Sequence, residues 1–180
     1  MKLFDTTKKP SIPHDKWTIE SNDTSLGRID LSKLELYLDD EQKNGRYIEG
    51  DTLRKKLKDK LVLNASVLDY LYEHQELIPK SWKEKSEGYI KYIYFWGTIY
   101  RSSHGNLCVR YLYFDVGAWS RGCRWLCVGW DGDGPAALLA SSPKSLKPRI
   151  LELELLERVK KIEKWIDFWE TVETPWNKDK

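Results

Sequence analysis

The sequence predicts an α+β fold, in which an antiparallel β-meander is packed by short helices and followed by a linked C-terminal amphipathic helix. Three observations support this class. Residues 89–130 are rich in β-branched and aromatic side chains and contain regularly spaced turn signals. Short amphipathic segments precede them, and a long segment of helical periodicity follows. The length of 180 residues suits one domain with an appendage. We therefore predict a loosely ordered lead-in at 1–16, an α+β domain at 17–142, and a linker with a C-terminal helix at 143–180.

The segments before the meander are short. Leu34, Leu36 and Leu38 alternate with other residues, which favours a half-buried strand. Ser32, three residues before Glu35, equally favours a helix cap, so both interpretations stay open.

Two short amphipathic helices are predicted next. In the segment 52–60, Leu53 and Leu57 share one helical face, and basic residues cover most of the rest. Asn64 is placed to cap the second helix, whose buried stripe comprises Val67, Leu68 and Leu71. We expect a turn or a single helical turn at 78–82 to place Trp82 on the core.

The meander is predicted to contain three strands, over about 90–101, 107–115 and 119–130. Pairing of Arg101 with Leu107 would give the sheet two faces. One carries Phe95, Ile99, Val109 and Tyr113, and the other carries Tyr92, Tyr94, Trp96, Tyr100, Leu112 and Phe114. Since neither face is plainly polar, both need cover. Residues 135–141 are expected to return as a short helix or an extended segment.

The C-terminal segment 149–172 has the strongest helical pattern in the chain. Its apolar seam has spacings of 4, 3, 4 and 3 residues and consists of Leu155, Val159, Ile162, Ile166 and Trp169. Two heptads are short for a free coiled coil. We therefore expect the helix to dock on its own domain, to pair with a copy of itself, or to pair with another protein.

Charge and cysteine content exclude several function classes. The net charge of +2 predicts no general attraction to nucleic acids or membranes. We expect a cytoplasmic protein without a membrane span, because no secretory signal or apolar run of about 18 residues occurs. The three cysteines are expected to be free thiols. A zinc site at His104, Cys108, Cys123 and Cys127 is disfavoured, since Cys123 and Cys127 would lie about 13 Å apart on an extended strand. We predict no metal and no cofactor.

Four ordered blocks of the chain resemble a group of small uncharacterised bacterial proteins. They are QKNGRYIEGDTLRKKL (42–57), VLNASVLDYLYEHQELIPKSWK (62–83), FWGTIYRSSHGNLCVRYLYF (95–114) and DGPAALLAS (133–141). The resemblance covers about residues 32–142 and implies no function, catalytic residue or cofactor. The C-terminal helix lies outside it.

The main functional prediction is a non-catalytic protein-interaction module, as in an accessory or regulatory subunit of a bacterial multi-protein system. Tryptophan, tyrosine and arginine dominate interface energetics, and both the aromatic sheet and the apolar helix need cover. The predicted partner is another protein or a copy of this chain, bound through the C-terminal helix. The predicted contacts are Trp96, Tyr100, Arg110, Trp119 and Trp125 on the sheet, with Leu155, Val159, Ile162, Ile166 and Trp169 on the helix.

Two alternatives remain at this stage. Residues 89–130 hold twelve aromatic side chains and five cationic residues against one acid, which is typical of a platform that binds single-stranded nucleic acid. The candidate contacts for that function are Arg101, Arg110, Arg121 and Arg124. The second alternative is an enzyme whose site is not visible in the sequence. No catalytic residues are predicted, because no nucleotide-binding or nucleophile motif occurs and no Cys or Ser is spaced against a His.

Overall fold

The main unit of the chain is a layered α+β structure, which confirms the predicted fold class. The computed structural model describes residues 2–86, 88–140 and 158–162. The chain divides into two units, Met1–Ala140 and Ser141–Lys180. In the second unit, residues 158–162 form a helix, α3, while the rest of the predicted helix 149–172 lies outside the described residues.

The elements of the first unit alternate short strands with two α-helices and several 3₁₀ turns. In chain order they are β1 (Leu3–Asp5), β2 (Thr18–Asn22), β3 (Arg28–Asp30), β4 (Leu34–Tyr37), β5 (Ile48–Glu49), α1 (Gly50–Lys56), α2 (Ala65–Glu73), β6 (Ile93–Tyr94), β7 (Thr98–Arg101), β8 (Leu107–Asp115), β9 (Ala118–Trp125), β10 (Gly129–Trp130) and β11 (Ala136–Leu139). The main sheet has the order β2-β7-β8-β6-β11-β4, and β9 pairs with the other edge of β8. Two small sheets pair β1 with β3 and β5 with β10.

The β7–β8 hairpin has the predicted register, because Arg101 pairs with Leu107. The prediction of one continuous strand over about 90–101 is wrong, because the structure divides this segment into β6 and β7. There the Gly97 amide donates to the Leu63 carbonyl at 2.9 Å. A side chain at Gly97 would meet backbone atoms of Asn64 at 2.8 to 2.9 Å, so the backbones approach too closely for a Cβ.

The interruption changes which side chains share a face. Phe95 packs with Leu112, whereas Tyr94 and Trp96 pack with Ile99. The predicted grouping of Phe95 with Ile99, and of Tyr92, Tyr94 and Trp96 with Leu112, is therefore corrected. A turn at 96–97 shifts the alternation by which neighbouring strand residues point to opposite faces.

Both faces of the sheet are covered by the chain itself. On one face, α2 packs against Phe95, Leu112 and Trp119, and its stripe of Val67, Leu68 and Leu71 is fully buried. On the other face, Leu53 and Leu57 pack in a second cluster that includes Trp96, Ile99, Val109 and Trp130. The expectation that both faces need cover is confirmed, and Trp82 lies in the core as predicted.

The N-terminal residues are part of the domain. β1 pairs with β3, and Phe4 is buried in the core, so the predicted loosely ordered lead-in at 1–16 is corrected. Two open alternatives resolve as strands: residues 34–37 form β4, and residues 136–139 form β11 beside it.

Two further local predictions differ from the structure. The third meander strand ends at Trp125, and β10 leaves the sheet to pair with β5. Asn64 lies at the N-cap position of α2, but its side chain donates to the Thr6 and Asp23 carbonyls. At the first helical residue, the Ala65 amide donates to the Thr98 hydroxyl at 2.9 Å. Tertiary partners thus replace the local cap.

Candidate functional site

The predicted sheet contacts are mostly core residues. Trp96, Tyr100, Arg110 and Trp119 are each no more than 5% exposed. The exception is Trp125, which is 37% exposed and lies against Trp17 with 5.4 Å between ring centroids. The sheet-contact prediction is therefore corrected for the four buried residues, because a partner could reach them only if the domain opened.

A polar network on the α2 side of the sheet explains why Arg110 is buried. Its Nη2 pairs with Asp69 Oδ1 of α2 at 2.9 Å, and its Nη1 donates to the Ser11 hydroxyl and carbonyl. Ser11 in turn donates to both carboxylate oxygens of Asp69 at 2.7 and 2.9 Å, and the Tyr100 hydroxyl donates to the Ser11 carbonyl. The network ties the N-terminal segment, α2 and two strands together.

The electrostatics of this network favour the buried charge. Burial acts against ionised Arg110, but the ion pair with Asp69 outweighs it, so the pKa of Arg110 is raised. Burial raises the pKa of Tyr100 to about 12, which keeps its hydroxyl a hydrogen-bond donor. Asp69 and Ser11 carry no local sequence signal, and their pairing joins distant parts of the chain.

The arginines of the nucleic-acid alternative have partners within the domain. Arg101 forms a two-point ion pair with Glu20, with both distances at 2.8 Å. Arg110 and Arg121 both contact Asp69. Arg124 donates to the Gly129 carbonyl at 2.7 Å, and its guanidinium lies 5.5 Å from the Trp130 ring centroid. Arg110 and Arg124 lie on opposite faces of the sheet, so these arginines do not form one exposed basic surface beside stacked aromatic rings.

The described part of the C-terminal helix has the opposite character. Val159 is 46% exposed and Ile162 is 59% exposed, three positions apart in α3. Residues at this spacing are neighbours on one helix surface. The other predicted seam residues, Leu155, Ile166 and Trp169, lie outside the described residues.

One cavity contains a carboxyl pair. Asp131 and Asp133 line a space of about 330 Å³ beside Gln42 and Ser86. Burial, and secondarily the neighbouring Asp131, raises the pKa of Asp133 to about 7. The Gln42 amide donates to the carbonyls of Asp131 and Gly134, which holds this segment as a tight turn. Burial of Asp133, together with the neighbouring Asp131 carboxyl, accounts for the raised pKa without a catalytic role.

A larger groove of about 670 Å³ lies between α1 and the end of β2. Arg54, Lys55 and Lys58 supply its cations, and Trp96 and Ile99 contribute apolar walls. Lys55 and Lys58 are exposed, which is typical of a solvated helix face.

The cysteines differ in their surroundings. Cys108 is buried, Cys123 is half-buried and Cys127 is exposed, and all three are free thiols. Among residues 2–86, 88–140 and 158–162, no group of three or more His, Cys, Asp or Glu side chains is placed to hold a metal ion. Within the same residues, no helix has the length and apolar character to cross a membrane.

No family model, curated protein or solved structure matches the chain. The resemblance to small uncharacterised bacterial proteins therefore stays a prediction. Four of the five predicted sheet contacts are buried, whereas Val159 and Ile162 of α3 are exposed.

Proposed function

We propose that this chain is a cytoplasmic, non-catalytic interaction module whose C-terminal helix pairs with the same helix of a second copy. The observation that carries the proposal is the exposure of Val159 and Ile162 side by side on α3. Large apolar side chains that share one helix stripe are usually covered. Of the predicted sheet contacts, Trp96, Tyr100, Arg110 and Trp119 are buried and Trp125 is exposed, so these five do not form one exposed surface.

The heptad pattern favours a second copy over an unrelated partner. In the 4-3 spacing, Val159 and Ile166 occupy a positions, while Leu155, Ile162 and Trp169 occupy d positions. β-Branched residues at a positions with leucine at d positions favour a parallel pair of helices, and Val159, Ile166 and Leu155 fit that pattern. Arg158 then occupies a g position and Glu163 the following e position, so each arginine would face the glutamate of the other copy.

The expected affinity is modest. Covering each seam side chain contributes about 1.5 to 3 kcal/mol of gross transfer free energy. Association costs about 4 to 15 kcal/mol in lost freedom of motion. These opposing contributions partly cancel, and we expect a weak dimer with a Kd of about 1 to 100 µM, which corresponds to a net binding free energy of about 5 to 8 kcal/mol.

Sedimentation velocity of the full chain across this concentration range tests the proposal. We expect the wild type to shift from monomer to dimer, and I162D/I166D to stay monomeric. K160D/K161D is the matched control, because it adds the same number of acids at b and c positions, away from the seam, and should retain the dimer. R158E should weaken association, and R158E/E163R should restore it, since the charge pairs are then reversed.

Three results would contradict the proposal. The first is a wild type that stays monomeric at 100 µM, and the second is an I162D/I166D variant that dimerises as well as the wild type. The third is a clear fall in the melting temperature of dilute I162D/I166D, which would mean that the seam docks on its own domain.

A further inference from the structure

We propose that Cys123 and Cys108 form a redox-active dithiol that exchanges with an anionic low-molecular-weight disulfide in the cavity between residues 11–14 and β9. This site is separate from the helix seam and does not depend on it. Cys123 is the attacking thiol, and Cys108 is the resolving thiol. Two thiols on one face of the sheet, a buried guanidinium and an open cavity together support the assignment.

The sheet register places the two thiols on one face. Cys123 of β9 lies opposite Arg110 of β8, and Cys108 is two residues before Arg110, so their side chains point to the same side of the sheet. Cys108 packs with Tyr100 in a small cluster, and Cys123 packs against that cluster. Cys108 is fully buried, whereas Cys123 is half-buried, so an outside reagent would meet Cys123 first.

A cavity of about 260 Å³ gives access to Cys123. Its lining includes Ser11, His14, Arg110, Arg121 and Cys123. This lining combines a nucleophile with two cationic side chains. Cys127 does not line this cavity and is exposed beyond the end of β9.

The surroundings of Cys123 favour the thiolate form of its side chain. A hydrogen bond from the Cys108 thiol and the nearby Arg110 charge lower the pKa of Cys123, although burial opposes them. The same hydrogen bond, together with burial, raises the pKa of Cys108, which therefore stays protonated as the donor. A thiolate held by a cationic neighbour in a partly open cavity is typical of reactive cysteines.

The charge balance of the cavity favours an anionic reagent. Arg110 and Arg121 supply two positive charges, and Asp69 is their one carboxylate partner within the described residues. The side chain of Arg121 is 42% exposed, so it is available to a carboxylate arriving from solvent. Glutathione disulfide, which carries several carboxylates, is a suitable probe of this class.

The proposed exchange proceeds in two balanced steps. The Cys123 thiolate attacks one sulfur of the disulfide RSSR, which forms a Cys123–SR mixed disulfide and releases RS⁻. Cys108 then attacks the Cys123 sulfur, which forms the Cys108–Cys123 disulfide, and its proton passes to the departing RS⁻. Overall, two protein thiols are oxidised and one RSSR is reduced to two thiols.

Formation of the final disulfide requires a small strand movement. Diagonal neighbours on adjacent antiparallel strands are about 7 to 8 Å apart, while a disulfide spans Cα atoms up to about 6.8 Å apart. Among the described strands, β9 pairs only with β8, so its other edge does not hold it in place.

The test treats the C127S variant with glutathione disulfide at pH 7, followed by alkylation and intact mass. We expect loss of two hydrogens and a Cys108–Cys123 crosslink in the peptide map. C108A/C127S should instead trap one glutathione on Cys123. The initial loss of the free Cys123 thiol in C127S, where the Cys108 donor is intact, should be at least about tenfold faster than modification of Cys127 in C108A/C123A. R121Q in the C127S background should slow the reaction several-fold with glutathione disulfide but not with the uncharged hydroxyethyl disulfide.

Several outcomes would overturn the proposal. Modification of Cys123 no faster than that of Cys127 would exclude an activated thiol. A stable mixed disulfide in C127S, without the internal crosslink, would exclude Cys108 as the resolving residue. Equal effects of R121Q on the two reagents would exclude the anionic class. Circular dichroism checks that each variant is folded, and C127S with R121Q keeps the assay interpretable if a buried C108A variant unfolds.

Discussion

The sheet and the C-terminal helix are both rich in apolar residues, but these residues differ in how far they are exposed. On the sheet, Trp96 and Trp130 pack on each other and on α1, and even Arg110 has its charge neutralised internally. On α3, Val159 and Ile162 are exposed. Residue type alone therefore does not identify an interaction surface, because most of the aromatic residues predicted as sheet contacts are buried in the core.

The largest expected effect is the loss of stability when Arg110 is removed from the Asp69 network. Arg110→Ala should lower the free energy of unfolding by about 3 to 5 kcal/mol, because a buried ion pair loses one partner. Arg121→Ala removes the other arginine that contacts Asp69. We expect it to lower the free energy of unfolding by less than about 1 kcal/mol, because the Arg121 side chain is exposed. Urea denaturation of both variants measures the difference. Equal losses would contradict the assigned role of Arg110.

Alanine substitutions at two isoleucines compare the sheet with the C-terminal helix directly. Ile99→Ala should cost about 2 to 5 kcal/mol, since the side chain is buried between packed neighbours. Ile162→Ala should change the unfolding free energy of the dilute chain by less than about 0.5 kcal/mol, since exposed positions contribute little. Chemical denaturation at low protein concentration, where pairing is absent, measures both. A comparable loss from Ile162→Ala would place that residue in a core.

The carboxyl pair predicts a pH dependence within the first unit. Because the folded pKa of Asp133 is raised to about 7 from 3.8, the native state binds this proton more tightly than the unfolded state does. The contribution of Asp133 to stability is therefore greatest below about pH 4 and is lost as the pH rises to 7. Asp133→Asn should raise the melting temperature more at pH 8 than at pH 5. Thermal scans at both pH values check this, and an equal shift at the two values would argue against a raised pKa.

A small gain in stability is expected at the turn between β8 and β9. Val116 has φ of 47° and Gly117 has φ of 81°, and both values lie in the left-handed region. A β-branched residue is strained there, whereas Asn-Gly suits such a two-residue turn. Val116→Asn should stabilise the domain by about 0.5 to 1 kcal/mol, measured by the urea midpoint. A destabilised variant would contradict the strain, because Val116 is exposed and loses no packing.

Local patterns predicted much of the fold. The stripe of α2, the Arg101–Leu107 register and the need to cover both faces follow from periodicity and turn chemistry. The strand interruption did not follow, because it depends on the contact of Gly97 with the distant Leu63. The burial of Arg110 likewise depends on Asp69 and Ser11, whose pairing no spacing reveals. Contacts between residues that are distant in the sequence therefore determine which of the predicted sheet contacts are buried in the core.

The candidate sites were predictable to different degrees. The helix seam can be identified from its 4-3 spacing alone, because a helix repeats regularly. The thiol cavity cannot be identified from the sequence in this way. It depends together on the β8–β9 register, the path of residues 11–14 and the charge of Arg110. Cys123 in isolation suggests only a free thiol.

Hydrogen exchange of the full chain at two protein concentrations tests the central claim most directly. It compares amides of the sheet with amides of the segment 155–169 in one sample. At about 1 µM and about 200 µM, we expect the β7–β8 amides to be equally protected, because the domain covers its own sheet. The helix amides should become markedly better protected at the higher concentration as copies pair. Helix protection that is the same at both concentrations would contradict the account.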